Sequence, residues 1–337
     1  MRKQSLSVVL PTYNCAPLMA RHLDSMDAWA DLADEILVVD SRSTDGTLEL
    51  IRNRLRHPNI RIIERDRGLY ESWNEGIAAT TGDWVYISTA GDTIEREHLL
   101  HLRELGERAN ADVVISPPRF VDENGVSLTD MSWPPHRIVA SYGDGRPFTL
   151  SRMAAGLLAF THFPSSLLGS SASNLYRGET LRSRPFACNF RGGGDTVWTM
   201  RNALSLCFCL TPRVGSAFCV HPKDDKKMSI DEAHAFMLSF SDEKSALARS
   251  ISDAYPGQGW SALSAESVLF ANTRNLIQKR RSELASGKSN PLKLFRWFGL
   301  TATFMWQRFR LSVHRRDIST RLIAKSLADT RHFQPVS

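Results

Sequence analysis

Three aspartates mark where this sequence could do chemistry. Asp40 ends the apolar run EILVVD, Asp66 stands two residues after IRIIE, and Asp92 closes GDWVYISTAGD. Each run is rich in β-branched or aromatic residues and reads as a strand. Asp92 poses the question most clearly, because residues 84–89 lead through Ala90 and Gly91 to a lone carboxylate just past the strand end. One answer is local: Asp92 begins a turn and Thr93 caps the next helix. The other is chemical: open α/β sheets bind ligands at the carboxyl edge of their strands. Parallel strands would put Asp40, Asp66 and Asp92 on that one edge. Carboxylates gathered there repel one another unless a cation or hydrogen-bond donors neutralise them. A divalent metal carrying a diphosphate is one solution, since Mg²⁺ and Mn²⁺ take one or two protein oxygens and leave the rest to phosphate and water.

A fourth aspartate, Asp195, follows Gly192-Gly193-Gly194 and opens an apolar helical pattern. It reads either as a helix N-cap or as a base at a pliable loop–helix junction. His98 and His101 stand three apart on a helix, a ligand pair or two surface residues. Trp198 and Arg201 lie one turn beyond Asp195 and suit acceptor or phosphate contacts, with core packing the plainer role for Trp198. Cys15, Cys188, Cys207, Cys209 and Cys219 are an odd set without a CxxC pair, which argues against a disulfide framework and a zinc site. Cys207 and Cys209 read as thiols on one face of a strand. There is no Walker A motif, and the triple glycine does not follow a first strand, so the dinucleotide fingerprint is missing.

These residues need elements to hold them. Strand and helix patterns alternate over residues 6–116 with short connections, the order of a mostly parallel sheet with helices on both faces. The pattern changes at Pro117-Pro118. A hairpin with its turn at residues 123–125 follows. Residues 130–170 read as irregular, then come strands at 172–177 and 216–221 around a helix at 195–204. From Ser229 the chain reads as helical to its end. The breaks in the pattern divide the chain into residues 1–116, residues 117–228 and a helical extension at 229–337.

With 337 residues, 42% hydrophobic and 23% charged, the chain can build a sizeable core. Lys plus Arg exceed Asp plus Glu by six, 42 against 36, which suits phosphates or an anionic membrane surface. No zinc-finger or RNA-binding signature points to nucleic acid. The first residues lack a signal-peptide run and no stretch reaches the length of a membrane span, so a cytoplasmic setting is expected. Residues 291–316 interleave Trp and Phe with Lys and Arg. That mixture suits a helix lying on an anionic membrane surface. A helix packed on the rest of the chain and a homodimer contact are the other readings.

The stretches VVLPTYN, EILVVDSRSTDGTLEL, DRGLYESWNEGIAATTGDWVYISTAGD and GGGDTVWTMR follow one another at a familiar spacing. The sequence resembles the family 2, GT-A-fold glycosyltransferases, in particular those of bacterial surface polysaccharides. The likeness is strongest over residues 6–93, extends to 170–205 and stops before the last third. It implies a Rossmann-like sheet and transfer of a sugar from a nucleotide-diphosphate donor to a polysaccharide or lipid-linked acceptor, with inversion. It implies that Pro11, Thr12 and Tyr13 line the nucleotide pocket, and that Asp40 holds the base or ribose. Asp66 and Arg67 would border the base, and Asn74 would fix the diphosphate or donor sugar. Asp92 would hold a divalent metal and Asp195 would be the base. The sequence departs from the family where Gly91 replaces the commoner Asp. A nucleotidyltransferase and a non-catalytic GT-A-like binding protein are the alternatives. The first would be expected to carry a Gly- and Lys-rich loop near the first strand, and none follows Thr12.

Overall fold

The structure, a computed structural model, describes residues 4–220, 230–256, 260, 263 and 317–336. The chain divides into two units, Met1–Lys223 with Arg331–Ser337, and Asp224–Thr330.

The first unit opens with β1 (Leu6–Thr12), α1 (Ala16–Asp27), β2 (Glu35–Asp40), α2 (Thr47–Arg54), β3 (Ile60–Glu64), α3 (Leu69–Ala78) and β4 (Trp84–Ile87). Then come β5 (Thr93–Ile94), α4 (Arg96–Arg108), β6 (Val113–Ile115), β7 (Arg119–Val121) and β8 (Ser127–Leu128). The later elements are α5 (Pro134–Tyr142), β9 (Phe148–Leu150), α6 (Arg152–His162), β10 (Asn174–Arg177), α7 (Gly178–Ser183), α8 (Gly194–Asn202), β11 (Phe208–Leu210) and β12 (Ser216–Cys219). In the second unit lie α9 (Ile230–Ala254) and α10 (Asp317–Leu327), and β13 (Phe333–Pro335) returns to the first.

Nine strands form one sheet in the order β13-β9-β11-β6-β10-β4-β1-β2-β3. The half that carries the expected nucleotide residues, β4-β1-β2-β3, is wholly parallel. Beyond it the sheet is mixed, because β10 runs antiparallel to both β4 and β6. β5, β12, β7 and β8 make a second, smaller sheet. Every residue of β1 and β4 is buried, as continuous apolar runs in a sheet covered on both faces require. β3 is half-exposed and charged, which suits the edge it occupies.

Alternation along the strands sorts the helices. Val8, Leu10, Ile36 and Val38 share a core with Met19, Leu23 and Met26 of α1, Leu48 and Ile51 of α2, and Leu99, Leu102 and Leu105 of α4. The intervening Val9 and Val39 face α3 instead, where a Cβ on Gly76 would come within 2.5 Å of Val9 and 2.8 Å of Val39. Glycine therefore lets α3 lie close enough to fix the loop ahead of it.

Two expectations are corrected. Residues 130–170 are not irregular, since they hold α5, β9 and α6. The prolines that suggested a loop, Pro134 and Pro135, open α5, where a missing N–H costs nothing. α6 has no polar stripe because Met153 to Phe160 are all buried. Nor is the end of the chain helical: β13 pairs antiparallel with β9, and Phe333 stacks on Tyr142 at 4.2 Å. Three residues are too few to show a period.

α9 buries Phe240, Leu247, Ala248 and Ile251, at helical spacing. The basic, aromatic segment at 291–316 lies outside the described residues. Among the described residues no helix is long and apolar enough to cross a membrane. None of the five cysteines forms a disulfide; Cys209 is buried, Cys207 half-buried and Cys188 exposed.

The close approach of α3 gives a direct check. Gly76→Ala should destabilise the protein by about 1–3 kcal/mol through overpacking, seen as a lower urea midpoint. An unchanged midpoint would show that α3 can move off the sheet freely.

Candidate active site

Thr12 and Asp40 are neighbours across β1 and β2, at their carboxyl ends. Asp40 is 1% exposed, so its charge needs donors. Oδ1 accepts from the hydroxyls of Thr12 at 2.8 Å and Ser43 at 2.7 Å, and Oδ2 accepts from the Ser43 N–H at 2.8 Å. The same serine hydroxyl accepts the Asn14 N–H, and Asn14 Oδ1 accepts the Thr44 N–H. Asp40 thus ties the loops after β1 and β2 together. Pro11 is buried within β1, and the chain emerges at Tyr13, which is 40% exposed. The Arg67 guanidinium lies 4.3 Å from the Tyr13 ring centroid, a cation–π contact. Asp66 is exposed and pairs with Arg42 at 2.7 Å. Tyr13, Arg42, Asp66 and Arg67 so form a polar, aromatic rim past β1, β2 and β3.

Asn74 does not face that rim with a free amide. Its Nδ2 donates to the Phe186 carbonyl at 2.8 Å and its Oδ1 accepts the Phe186 N–H at 2.9 Å. It joins α3 to the segment that leads into α8.

The local answer to the Asp92 question holds in part, with Asp92 closing a turn and not opening one. The Asp92 N–H donates to the Thr89 carbonyl at 3.0 Å, closing a turn with Gly91 at φ 90°. An aspartate at position 91 would be strained in that conformation, which accounts for the glycine there. Thr93 caps no helix; it sits in β5, and α4 begins at Arg96. The turn sends Asp92 inward, where it is 3% exposed. Oδ1 accepts the Cys219 N–H at 2.8 Å and Oδ2 accepts the Ser170 hydroxyl at 3.2 Å. The Asp92 carbonyl lies 2.8 Å from His22 Nδ1. A carbonyl only accepts, so Nδ1 carries the proton and Nε2 takes the Ser88 hydroxyl at 3.1 Å. Burial pushes the Asp92 carboxyl up to about 7, against the Cys219 and Ser170 bonds and the Arg21 charge, and pushes His22 down to about 4.

Asp40, Asp66 and Asp92 share the carboxyl edge without converging. Among the described residues, no three His, Cys, Asp or Glu are placed to hold a metal. His98 and His101 belong to no such group among the described residues, and His98 is not on the surface. His98 is buried with Nε2 2.9 Å from the Ser116 hydroxyl, and His101 Nε2 lies 3.0 Å from that of Thr211. What remains for a dication is Asp92 alone, a buried carboxyl with no ion-pair partner among the described residues. One carboxylate fits Mg²⁺ or Mn²⁺ when phosphates and water complete the shell.

Asp195 lies in the first turn of α8, but the N-cap is Gly193, so it is not the cap. Its Oδ1 accepts the Tyr70 hydroxyl at 3.2 Å and the Thr196 N–H at 2.7 Å, while its own N–H donates to the Tyr70 oxygen at 3.1 Å. Burial raises its carboxyl above the usual range, and bonds from Thr196, Ser166 and Tyr70 oppose the rise. Trp198 is core, with Nε1 donating to the Arg184 carbonyl at 2.6 Å. The Arg201 guanidinium lies 5.9 Å from the Phe190 ring centroid. Tyr70 is the residue that sequence reasoning passed over, although it stands inside the block DRGLYESWNEG.

Residues 7–171 match the family model described as Glycosyl transferase family 2. They are a family 2 glycosyl transferase domain. The match takes in Thr12, Asp40, Tyr70 and Asp92 and ends before Asp195. Over 125 residues the chain is 30% identical to the succinoglycan biosynthesis protein ExoO of Rhizobium meliloti (strain 1021), a stretch covering 36% of each protein. The chain thus spans little more than a third of that curated relative. The fold superposes on S. aureus TarS 1-349 in complex with UDP-GlcNAc with a TM-score of 0.55 at 16% identity, covering 89% of this chain and 80% of that one. It also superposes on the mannosyltransferase PcManGT of Pyrobaculum calidifontis in complex with GDP-Man and Mn²⁺, with a TM-score of 0.51 at 21% identity, covering 96% and 84%. At such identities the likeness speaks for the fold, which is GT-A.

The Asp92 carboxyl carries a signed pH prediction. It titrates at about 7 when folded and near 3.8 when unfolded. The folded state then holds the extra proton, so this group's contribution is lost as pH rises through that window. Urea midpoints at pH 5 and pH 8 should therefore show wild type losing stability relative to Asp92→Asn at the higher pH. An equal gap at both would mean that Asp92 stays ionised in the fold.

Proposed function

We propose that the chain is a glycosyltransferase moving a sugar from a nucleotide-diphosphate donor to a hydroxyl of a polysaccharide or lipid-linked oligosaccharide, with inversion. The observation that carries the reading is the family 2 match on the parallel strands whose carboxyl ends bear Thr12, Tyr13 and Asp40. Pro11, Thr12 and Tyr13 line the nucleotide pocket, and Asp40 sets its floor by holding the loop at Ser43. Asp66 and Arg67 border the base beside Tyr13. Asn74 acts on the donor sugar through the segment at Phe186. Asp92 is the residue that would hold a divalent cation, which when bound would offset the charge on the diphosphate.

Asp195 takes the proton from the acceptor hydroxyl as its oxygen attacks the anomeric carbon. The new carbon–oxygen bond forms as the bond to the diphosphate breaks, and the diphosphate leaves with the electron pair. A carboxyl raised by burial is a better base than an exposed aspartate, because its pKa lies nearer the working pH. Residues 291–316 would bring the enzyme to an anionic membrane surface on the cytoplasmic side; their aromatic and basic composition supports this. A second reading, a GT-A-like protein that binds without turnover, is favoured by Gly91 and the single metal-site carboxylate.

Asp195→Asn separates the two. It is nearly isosteric and cannot accept the proton, so kcat should fall by about 10² to 10⁴ while donor affinity stays put. Transfer is read as nucleoside diphosphate released from UDP-GlcNAc and GDP-mannose, with Mn²⁺ or EDTA. Turnover by wild type that survives in Asp195→Asn would move the base elsewhere. Binding without release in wild type would favour the second reading. EDTA should weaken donor binding in wild type and leave Asp92→Asn little changed, and an equal response in both would remove Asp92 as the metal ligand.

A further inference from the structure

Tyr70 is only 3% exposed and is joined at its hydroxyl to a residue 125 positions away. The phenol oxygen accepts the Asp195 N–H at 3.1 Å. Its proton reaches Asp195 Oδ1 at 3.2 Å and the Gly192 carbonyl at 3.3 Å. One hydroxyl therefore holds both the main chain and the side chain of the aspartate, and the loop before it.

The ring is held as firmly as the hydroxyl. It stacks on Phe186 at 5.6 Å and meets the edge of Trp73 at 5.1 Å. Phe186 in turn packs on Trp198 of α8 at 5.4 Å. A second observation points the same way. Gly194 has ordinary helical dihedrals, with φ −62°, so its backbone does not require glycine. Space does: a Cβ there would fall 2.6 Å from the Tyr70 ring and 2.5 Å from the Ala187 carbonyl. The glycine makes room for this tyrosine.

We propose that Tyr70 is the positioning residue of the catalytic base, clamping Asp195 through Oδ1 and its N–H so that Oδ2 receives the acceptor's proton. The inference rests on the reading of Asp195 as the base. Tyr70 stands three residues after Arg67, so the clamp also ties the base to the loop that borders the donor. The groups acting on Asp195 from its neighbours are Tyr70, Ser166 and Thr196, with the buried phenol of Tyr176 also within reach of its charge, and among the described residues no charged side chain pairs with it. A donor to the ionised carboxylate favours that form, so removing the hydroxyl raises the carboxyl's pKa.

The experiment uses the full chain with aspartate labelled at the γ-carbon. The Asp195 resonance is the one missing from Asp195→Asn. In Tyr70→Phe, which keeps the ring, its titration midpoint should move up by about half a pH unit or more. The acidic limb of the rate profile should move up with it, kcat should fall about tenfold, and the donor KM should hold. Gly194→Ala, which crowds the ring, should shift the midpoint the same way and serves if Tyr70→Phe is unstable. A purely structural tyrosine would lower the urea midpoint and leave both titrations in place, and that result overturns the inference. An Asp195→Asn enzyme at full turnover instead overturns the base reading, whatever Tyr70 does.

Discussion

A carboxylate taken out of water must find donors, a cation or a proton, and this structure is arranged around three that are removed from solvent in different ways. Asp40 finds donors. Three hydrogen bonds from Thr12 and Ser43 surround it, and in meeting them it closes the loops after β1 and β2 over the sheet. Asp92 finds two neutral donors and no ion-pair partner among the described residues, and its carboxyl rises to about 7. Asp195 finds a tyrosine and the first turn of its own helix. The rule that buried charge must be compensated thus makes Asp40 a scaffold and suits the other two to the roles proposed for them, Asp92 as a place for a cation and Asp195 as a base.

The sheet makes this possible by being parallel where it matters. β4-β1-β2-β3 all end on one edge, so short loops there can carry polar residues while the strands stay apolar. α3 is the element that joins the parts. Gly76 lets it lie against Val9 and Val39, its preceding loop carries Asp66 and Arg67, and Tyr70 and Asn74 reach from it to Asp195 and Phe186. The exposed rim at Tyr13 and Arg67 and the carboxylate of Asp195 are in this way joined through one helix.

Much of this was legible in the sequence. Strands buried on both faces leave continuous apolar runs, so β1, β2 and β4 and the polar residues after them could be placed. The partners of those residues could not. Asp92 is held by Cys219, 127 positions away, and Ser170, 78 away, and no local pattern marks such pairs. His98 and His101 looked like a surface pair because their buried partners, Ser116 and Thr211, are common residues without a motif. α6 escaped because a helix buried all round has no polar face to give a period, and β13 because it is three residues long.

If the proposed function is right, a nucleotide-sugar binds at the rim beyond β1. Calorimetric titration of UDP-GlcNAc and of GDP-mannose, each with Mn²⁺, into wild type and Tyr13→Ala tests it most directly. Tyr13 is 40% exposed, so its loss should leave the fold intact. At least one donor should bind wild type and bind Tyr13→Ala at least tenfold more weakly, a stacking contribution of about 1–3 kcal/mol. Equal affinity in both proteins, or no binding of either donor to wild type, would contradict it.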